Sequence, residues 1–219
     1  MPDPSSTTLD LALTVIEAGA TVAFALSGLL AAARKRLDAV GVCVVAGLAA
    51  FGGGTLRDVL LDRRPFFWVE HATWLWVLLA LCVVAMTFMR GRHFAPTERA
   101  MQWPDAVGLG LFTAGGTQVA IQADMPAIVS VLMGVVTAVF GGVLRDIVCN
   151  EIPSAFSDHR PYAVCAFVGG WVLVAAYALN VPAWAGLLGA AAIASGLRML
   201  ALATGYTLPR WSTGDASHD

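Results

Sequence analysis

Long hydrophobic stretches separated by short polar connections run through nearly the whole chain. A helix of about 20 residues crosses the roughly 30 Å hydrocarbon core of a bilayer, and each stretch is of that size. The chain lacks the alternating strands of about ten residues that build membrane barrels, so we predict helices, which satisfy their own backbone groups in lipid. The seven predicted transmembrane spans cover residues 10–33, 39–61, 73–90, 103–121, 126–148, 162–179 and 183–204. The fourth is the weakest, since it is interrupted by Asp105, Thr113, Thr117 and Gln118.

The composition is that of an all-α integral membrane protein. Hydrophobic residues make up 58% of the 219 residues and charged residues 13%, whereas soluble domains have roughly 45 to 50% and about 25%. The net charge of −2 says little about partners, and no nucleic acid is predicted among them. The four cysteines lack CxxC spacing, so we expect neither a metal site nor a disulfide, and we predict no cofactor.

The distribution of Lys and Arg predicts the orientation in the membrane. With seven spans, eight basic residues fall on one side and only Arg63 and Arg64 on the other, which places the N-terminus outside and the C-terminus in the cytoplasm. The first ten residues contain no Lys or Arg, so we expect the first span to stay as an anchor. A polar tail is predicted at residues 205–219, and its residues 207–219 are expected to be disordered. The eight basic residues predicted on the cytoplasmic side are Arg34, Lys35, Arg36, Arg90, Arg92, Arg99, Arg160 and Arg210.

Two segments of the chain are copies of each other. FGGGTLRDVLLDRRP, from Phe51, and VFGGVLRDIVCNEIP, from Val139, align at an offset of 88 residues, and the alignment extends without a gap from about residue 15 to 90. Each copy holds three spans, and an odd number makes the second copy enter the membrane from the opposite side. We therefore predict one transmembrane domain, residues 1–204. It contains inverted repeats at about 10–90 and 98–179 and an extra helix at 183–204.

Glycines interrupt the middle of the second and fifth spans and have two interpretations. One is close helix packing through small residues. The other is a kink or unwound turn that exposes backbone carbonyls to a water-filled path. We favour the second, because a charged pair follows the glycines in both repeats. The residues are Gly52, Gly53, Gly54, Gly141 and Gly142.

Six ionisable residues are predicted at membrane depth, where each costs at least about 2.5 kcal/mol and normally faces a partner or a cavity. At about 1.5 Å per residue, Glu17 meets Arg57 near the outer leaflet. By the repeat, Asp105 meets Arg145 near the inner leaflet. These pairs either hold the helices in register or belong to a path. The six are Glu17, Arg57, Asp58, Asp105, Arg145 and Asp146.

Asp58 and Asp146 are the preferred path-lining acids. Neighbours on a helix point about 100° apart, so each aspartate is expected to look away from the arginine before it. Four acids against two arginines leave two negative charges, and an acid-lined conduit attracts cations. A proton relay is the alternative, since burial raises carboxylate pKa values. Further candidates to line water are Ser27, Thr55, Thr113, Thr117, Gln118 and Thr137.

The doubled motif resembles the bacterial branch of the TRIC family, the trimeric intracellular cation channels, also labelled glycine-transporter domains. It consists of GGGTLRD at 52–58, GGVLRD at 141–146 and the segments FALSG and FTAGG. The resemblance covers about residues 10 to 204 and implies a homotrimer in a bacterial inner membrane, in contact with lipid. Each protomer would have its own pore at kinked second and fifth helices, permeable to potassium or sodium. The Lys-Glu-Val motif and lysine-rich tail of animal members are not found here.

The sequence therefore supports two alternative functions. The first is a monovalent cation channel, chiefly for potassium, with glycine hinges that gate it. The second is a secondary transporter for a small neutral solute such as glycine, which rocks about a midplane site. An enzyme is not expected, because no nucleophile with a base, metal-ligand set or Walker loop is present in the sequence.

Overall fold

A computed structural model describes residues 4–92 and 97–209, with side chains described for 8–88 and 97–209. Within these ranges the chain is all-α, as predicted. The helices are α1 (Pro4–Arg34), α2 (Ala39–Leu60), α3 (Phe67–Glu70), α4 (Thr73–Arg92), α5 (Glu98–Gln122), α6 (Ala127–Val148), α7 (Ser154–Ser157), α8 (Ala163–Ala178) and α9 (Ala183–Thr204). The seven long helices coincide with the seven hydrophobic stretches. Most of the predicted polar tail lies outside the described residues.

Local capping sets the ends of several helices. The Asp38 carboxylate accepts the Gly41 N–H at 2.7 Å at the start of α2, and the Thr97 hydroxyl accepts the Ala100 N–H at 3.2 Å at the start of α5. Both satisfy backbone donors that a first helical turn leaves free. At the other end of the chain, α9 stops at Gly205, whose φ of 70° is the left-handed conformation that glycine adopts at helix ends.

Among the described residues, four helices combine the length and hydropathy needed to cross a membrane. Two shorter apolar helices, Thr73–Phe88 and Ala163–Ala178, stand beside them. α5 is not in either group, in agreement with the polar residues that make the fourth span the weakest. The four are Thr8–Arg34, Ala39–Leu60, Ala127–Val148 and Ala183–Thr204.

Polar and apolar side chains are distributed as in a protein surrounded by lipid. Arg57 and Arg145 are among the largest fully buried side chains, whereas Trp76, Val84 and Leu188 are exposed. Apolar side chains on an outer face have no free-energy penalty in hydrocarbon. A charged side chain there is costly, so charged residues in membrane helices almost always face the protein interior. The buried charged residues lie within the long helices, whereas those of the connections are exposed or half-buried.

A pseudo-two-fold axis relates the two repeats. On α2, a Cβ added at Gly53 would overlap the carbonyl oxygen of Thr137, and on α6 a Cβ added at Gly141 would overlap that of Ala49. These are one contact seen from either repeat, since 88 residues separate Ala49 from Thr137 and Gly53 from Gly141. From the Ala49–Gly141 contact to the Gly53–Thr137 contact, the residue number rises along α2 and falls along α6. The two equivalent helices are therefore antiparallel. Such reciprocal contacts require a two-fold relation.

Three further contacts fit the same symmetry. The rings of Phe24 and Phe112, also 88 residues apart, stack with centroids 5.5 Å apart where α1 packs against α5. A Cβ added at Gly28 would lie 2.7 Å from the Cα of Ala46, and one added at Gly116 would lie 3.1 Å from the Cα of Gly134. Residues that contact their own counterparts lie on the axis, so it passes between Phe24 and Phe112.

The glycines of α2 and α6 serve close packing. Both helices continue without interruption through Gly52, Gly53 and Gly54 and through Gly141 and Gly142. The expectation of an unwound turn is therefore wrong, and the alternative of a kink stays a prediction. The other interpretation accounts for the glycines, because neighbouring backbone and side chains occupy the space of the missing Cβ atoms. Their role in a pore or gate stays a prediction.

Candidate functional site

Glu17, Arg57 and Asp58 form a first charged cluster between α1 and α2. Arg57 Nη1 lies 3.1 Å from Glu17 Oε1, and Arg57 Nε donates to Asp58 Oδ1 at 2.8 Å. Arg57 and Asp58 are fully buried and Glu17 nearly so. A buried arginine needs counter-charges and hydrogen bonds to offset its desolvation, and here two carboxylates supply them.

Asp105, Arg145 and Asp146 form a second charged cluster between α5 and α6. Each residue lies 88 positions after its counterpart in the first cluster. Arg145 Nη1 lies 2.6 Å from Asp105 Oδ1, and Arg145 Nε donates to Asp146 Oδ1 at 2.8 Å. The structure thus brings together both predicted pairs, each with a second carboxylate.

Asp58 and Asp146 are placed differently from the prediction. The expectation that they look away from the arginines is wrong, because a long arginine side chain folds back to its neighbour despite the angle between their Cβ directions. Asp58 Oδ2 also accepts the Phe67 N–H at 2.8 Å, and Asp146 Oδ2 accepts the Ser154 N–H at 2.8 Å. Each carboxylate therefore joins its arginine to the first turn of a short helix, α3 or α7. Their role as path-lining acids stays a prediction.

The two clusters are covered differently. The Tyr162 hydroxyl donates to Asp105 Oδ2 at 2.8 Å, and Ser27 of α1 contacts Arg145 Nη1. The residues at the equivalent positions are Trp74 in the first repeat and Gly115 in the second, and neither has a hydroxyl to offer Glu17 or Arg57. The second cluster is accordingly bonded more completely than the first.

A polar cavity of about 270 Å³ adjoins the first cluster. Glu17 lines it together with two further acids, Asp10 and Glu70, against one arginine, Arg63. An excess of acid in a concave site raises the local concentration of cations. The other lining residues are Leu13, Thr14, His71, Val119 and Gln122. We call this cavity the acidic vestibule.

Two buried hydroxyls, those of Thr21 and Thr117, have no hydrogen-bond partner among the described residues. Thr113 and Thr137 instead donate to carbonyls of their own helices, at 2.7 and 2.6 Å. An unsatisfied buried polar group costs about 1 to 3 kcal/mol, and a bridging water removes that cost. Thr21 and Thr117 are therefore the better candidates to contact water.

Sequence reasoning missed Arg198 and Tyr162. Arg198 lies in the seventh hydrophobic stretch but was not counted among the membrane-depth charges, and with it the excess of acid falls from two to one. It is buried, donates to the Pro161 carbonyl at 3.1 Å, and its Cζ lies 4.7 Å from the centre of the Tyr162 ring. The available signal was a lone arginine within an apolar run.

Comparison with known proteins gives consistent matches. The profile of the glycine transporter family matches residues 14–90 and 102–178, two copies again 88 residues apart. A UPF0126 membrane protein of Vibrio cholerae is 36% identical over 171 residues, which cover 76% of this chain and 69% of the relative. The UPF0126 inner membrane protein YadS of Escherichia coli K12 is 38% identical over 157 residues, covering 72% and 75% of the two chains.

Solved structures with the same fold include two TRIC channels. The TRIC trimeric intracellular cation channel orthologue from Rhodobacter sphaeroides matches with a TM-score of 0.81 and 32% identity, over 89% of this chain and 98% of the other. A prokaryotic TRIC channel in 0.5 M KCl matches with a TM-score of 0.81 and 25% identity, over 90% and 98%. The alignment thus spans nearly all of both solved chains.

Proposed function

The chain belongs to the glycine transporter family, and we propose that it is a channel for monovalent cations, chiefly potassium. It is an integral protein of the inner membrane, as its relatives are named, and its likeness to TRIC cation channels supports a cation channel. The observation that carries the proposal is the pair of charged clusters related by the pseudo-two-fold axis, one of which opens on the acidic vestibule. No catalytic activity is proposed.

We place the path between the two clusters along α1. Glu17 belongs to the first cluster and Ser27 contacts the second. Ten residues of helix separate them, about 15 Å at about 1.5 Å per residue, or half of a hydrocarbon core of roughly 30 Å. The unpaired hydroxyl of Thr21 lies between them on the same helix. A cation would enter at the vestibule, pass Glu17 and Thr21, and reach Asp105.

The closely packed glycines and the aspartates have supporting roles in this proposal. Where α2 crosses α6, Gly53 and Gly141 let the helices approach and slide. Asp58 and Asp146 transmit such a movement between each arginine and its short helix. The pore and gating roles predicted for these residues, and for Gly52, Gly54 and Gly142, are in this form part of the proposal.

For the topology we propose seven crossings, with the N-terminus outside and the C-terminus in the cytoplasm. Lys35 and Glu151 pair at 2.8 Å and join the connections after α1 and α6, which seven crossings place on one side of the membrane. The Leu208 N–H donates to the His159 carbonyl at 2.7 Å, so the chain after α9 lies near the connection that precedes α8. The repeats would occupy about 10–90 and 98–179, and α9 would be the extra helix.

We further propose a homotrimer with one path in each protomer. The Rhodobacter sphaeroides relative is a trimeric channel, and the alignment covers 89% of this chain. The large apolar side chains exposed on the outer faces, such as Trp76 and Leu188, would contact lipid or a second protomer.

Flux measurements on Glu17→Gln test the path. We expect potassium efflux from proteoliposomes to fall several-fold, because the vestibule loses an acid and Arg57 loses one of its two carboxylates. Asp124→Asn is the matched control, since Asp124 is an exposed acid outside the vestibule whose left-handed φ of 55° suits asparagine. Equal efflux from wild type and Glu17→Gln would remove Glu17 from the path.

The same liposomes separate channel from carrier. Uptake of labelled glycine is measured beside potassium efflux in wild-type vesicles. Saturable glycine uptake without potassium efflux would replace the channel by the secondary transporter, whose rocking helices the inverted repeat also suits.

A further inference from the structure

We propose that Arg198 of α9 is a positioning residue that holds Tyr162 over the Asp105–Arg145 pair and so closes the second end of the path. This inference rests on the proposed channel. It assigns a function to the helix that lies outside the two repeats.

Tyr162 is packed directly on the second cluster. Only 2% of the residue is exposed, and its hydroxyl donates to Asp105 Oδ2 at 2.8 Å. A Cβ added at Gly142 would lie 3.2 Å from the Tyr162 hydroxyl oxygen and 3.5 Å from Asp105 Oδ1. No space for a hydrated ion remains between the phenol and the carboxylate. A cation that reaches Asp105 can therefore leave only if Tyr162 moves.

We call Tyr162 the cover of the second cluster. Arg198 contacts both its ring and the backbone beside it. It is 1% exposed, its Cζ lies 4.7 Å from the ring centroid of Tyr162, and Nη1 donates to the carbonyl of Pro161, the preceding residue. A guanidinium at this distance from an aromatic ring is attracted to it, more strongly when water is excluded. Tyr162 is thus fixed from the α9 side.

The contacts of Arg198 are weaker than those of Arg145 within the second cluster. Arg198 Nε has no partner among the described residues, and Nη2 lies 3.4 Å from Asp158 Oδ2, a long contact. Arg145, in contrast, lies at 2.6 and 2.8 Å from its two carboxylates. A buried donor without an acceptor favours any arrangement that supplies one. We therefore expect the contact between Arg198 and Tyr162 to break before the ion pairs of Arg145.

The cover belongs to one end of the path only. In the first repeat, Trp74 takes the position of Tyr162, and Glu17 lines the open vestibule. α9 has no counterpart there, because it follows the second repeat. The pseudo-two-fold symmetry is thus broken at the point where α9 meets the second cluster.

Three variants test this closure: Arg198→Gln, Tyr162→Phe and their combination. Each single change removes a buried hydrogen bond to a charged group, and each is expected to raise the open fraction about tenfold. The double variant should match Tyr162→Phe, because Arg198 acts by placing the Tyr162 hydroxyl on Asp105, and its loss changes nothing further once that hydroxyl is absent. The control is Arg160→Gln, which removes a more exposed arginine that also lies 3.4 Å from Asp158.

A thiol at position 27 reports on the cover without any current. Ser27→Cys replaces a buried hydroxyl beside Arg145 without adding a Cβ; it is combined with each variant and labelled with a membrane-impermeant maleimide, above the background of the four native cysteines. We expect slow labelling with Tyr162 and Arg198 in place, and labelling about tenfold faster in Arg198→Gln and Tyr162→Phe. Arg160→Gln should label as slowly as wild type.

The outcomes separate this inference from the channel. Faster labelling with no potassium current in any variant would support the cover and reject the proposed function. Unchanged labelling and unchanged current in both single variants would overturn the inference and leave the channel standing. Independent, multiplying effects in the double variant would also overturn it. Tyr162→Phe removes a single oxygen and tests the closure even if Arg198→Gln does not fold.

Discussion

Gly53→Ala is expected to lose most of the folded protein, although alanine is the better helix former by about 1 kcal/mol. The added Cβ would overlap the Thr137 carbonyl oxygen, which is backbone and cannot rotate away. Relief requires α2 and α6 to separate at the centre of the fold. Overpacking typically costs about 1 to 3 kcal/mol, occasionally more, and we expect at least about 3 here. Gly141→Ala should behave alike, because its Cβ would overlap the Ala49 carbonyl.

Gly189→Ala is the matched control for this substitution. Gly189 is a glycine within α9 with no atom within 4 Å of an added Cβ, so only the gain in helix propensity remains. We expect its melting temperature in detergent to equal or exceed that of wild type, while Gly53→Ala is recovered poorly and melts well below it. Equal melting of the two variants would show that α2 and α6 do not cross this closely.

Arg145→Met is expected to destabilise the protein by about 3 to 5 kcal/mol, the range for removing one partner of a buried pair. Asp105 and Asp146 would remain buried without a counter-charge. The matched control is Lys35→Met, since Lys35 and Glu151 also pair at 2.8 Å but are each 35% exposed, where a pair contributes about 0 to 1 kcal/mol. Thermal unfolding in detergent compares the two variants.

A compensating variant shows whether the stranded charge is the cause. Asp105→Asn and Asp146→Asn added to Arg145→Met should recover part of the lost stability, because the cluster is then neutral. If the triple variant is less stable than Arg145→Met alone, hydrogen bonding rather than charge accounts for the loss. If Arg145→Met melts like Lys35→Met, the cluster does not stabilise the fold.

The long helices could be predicted from the sequence because their lengths follow from the bilayer. The predicted span 183–204 has the same ends as α9, and the predicted span 126–148 begins one residue before α6. The two four-residue helices, α3 and α7, were missed. They are too short for a periodic pattern and depend on tertiary bonds from Asp58 and Asp146.

The candidate site could be predicted where both repeats carry the same acidic and basic residues. The Glu17–Arg57 and Asp105–Arg145 pairs follow from depth along straight helices of known rise. The purpose of Gly53 does not follow, because the atom it makes room for belongs to Thr137, on another helix. The same holds for Arg198 and Tyr162, whose contact depends on how α9 packs against α8.

Single-channel recording tests the proposed cation conduction most directly. Purified protein is placed in a planar bilayer under a potassium chloride gradient, and unitary currents and their reversal potential are recorded. We expect discrete steps that reverse near the potassium equilibrium potential. Steps that reverse near the chloride equilibrium potential, or a silent bilayer together with saturable glycine uptake by the same preparation in liposomes, would contradict a cation channel.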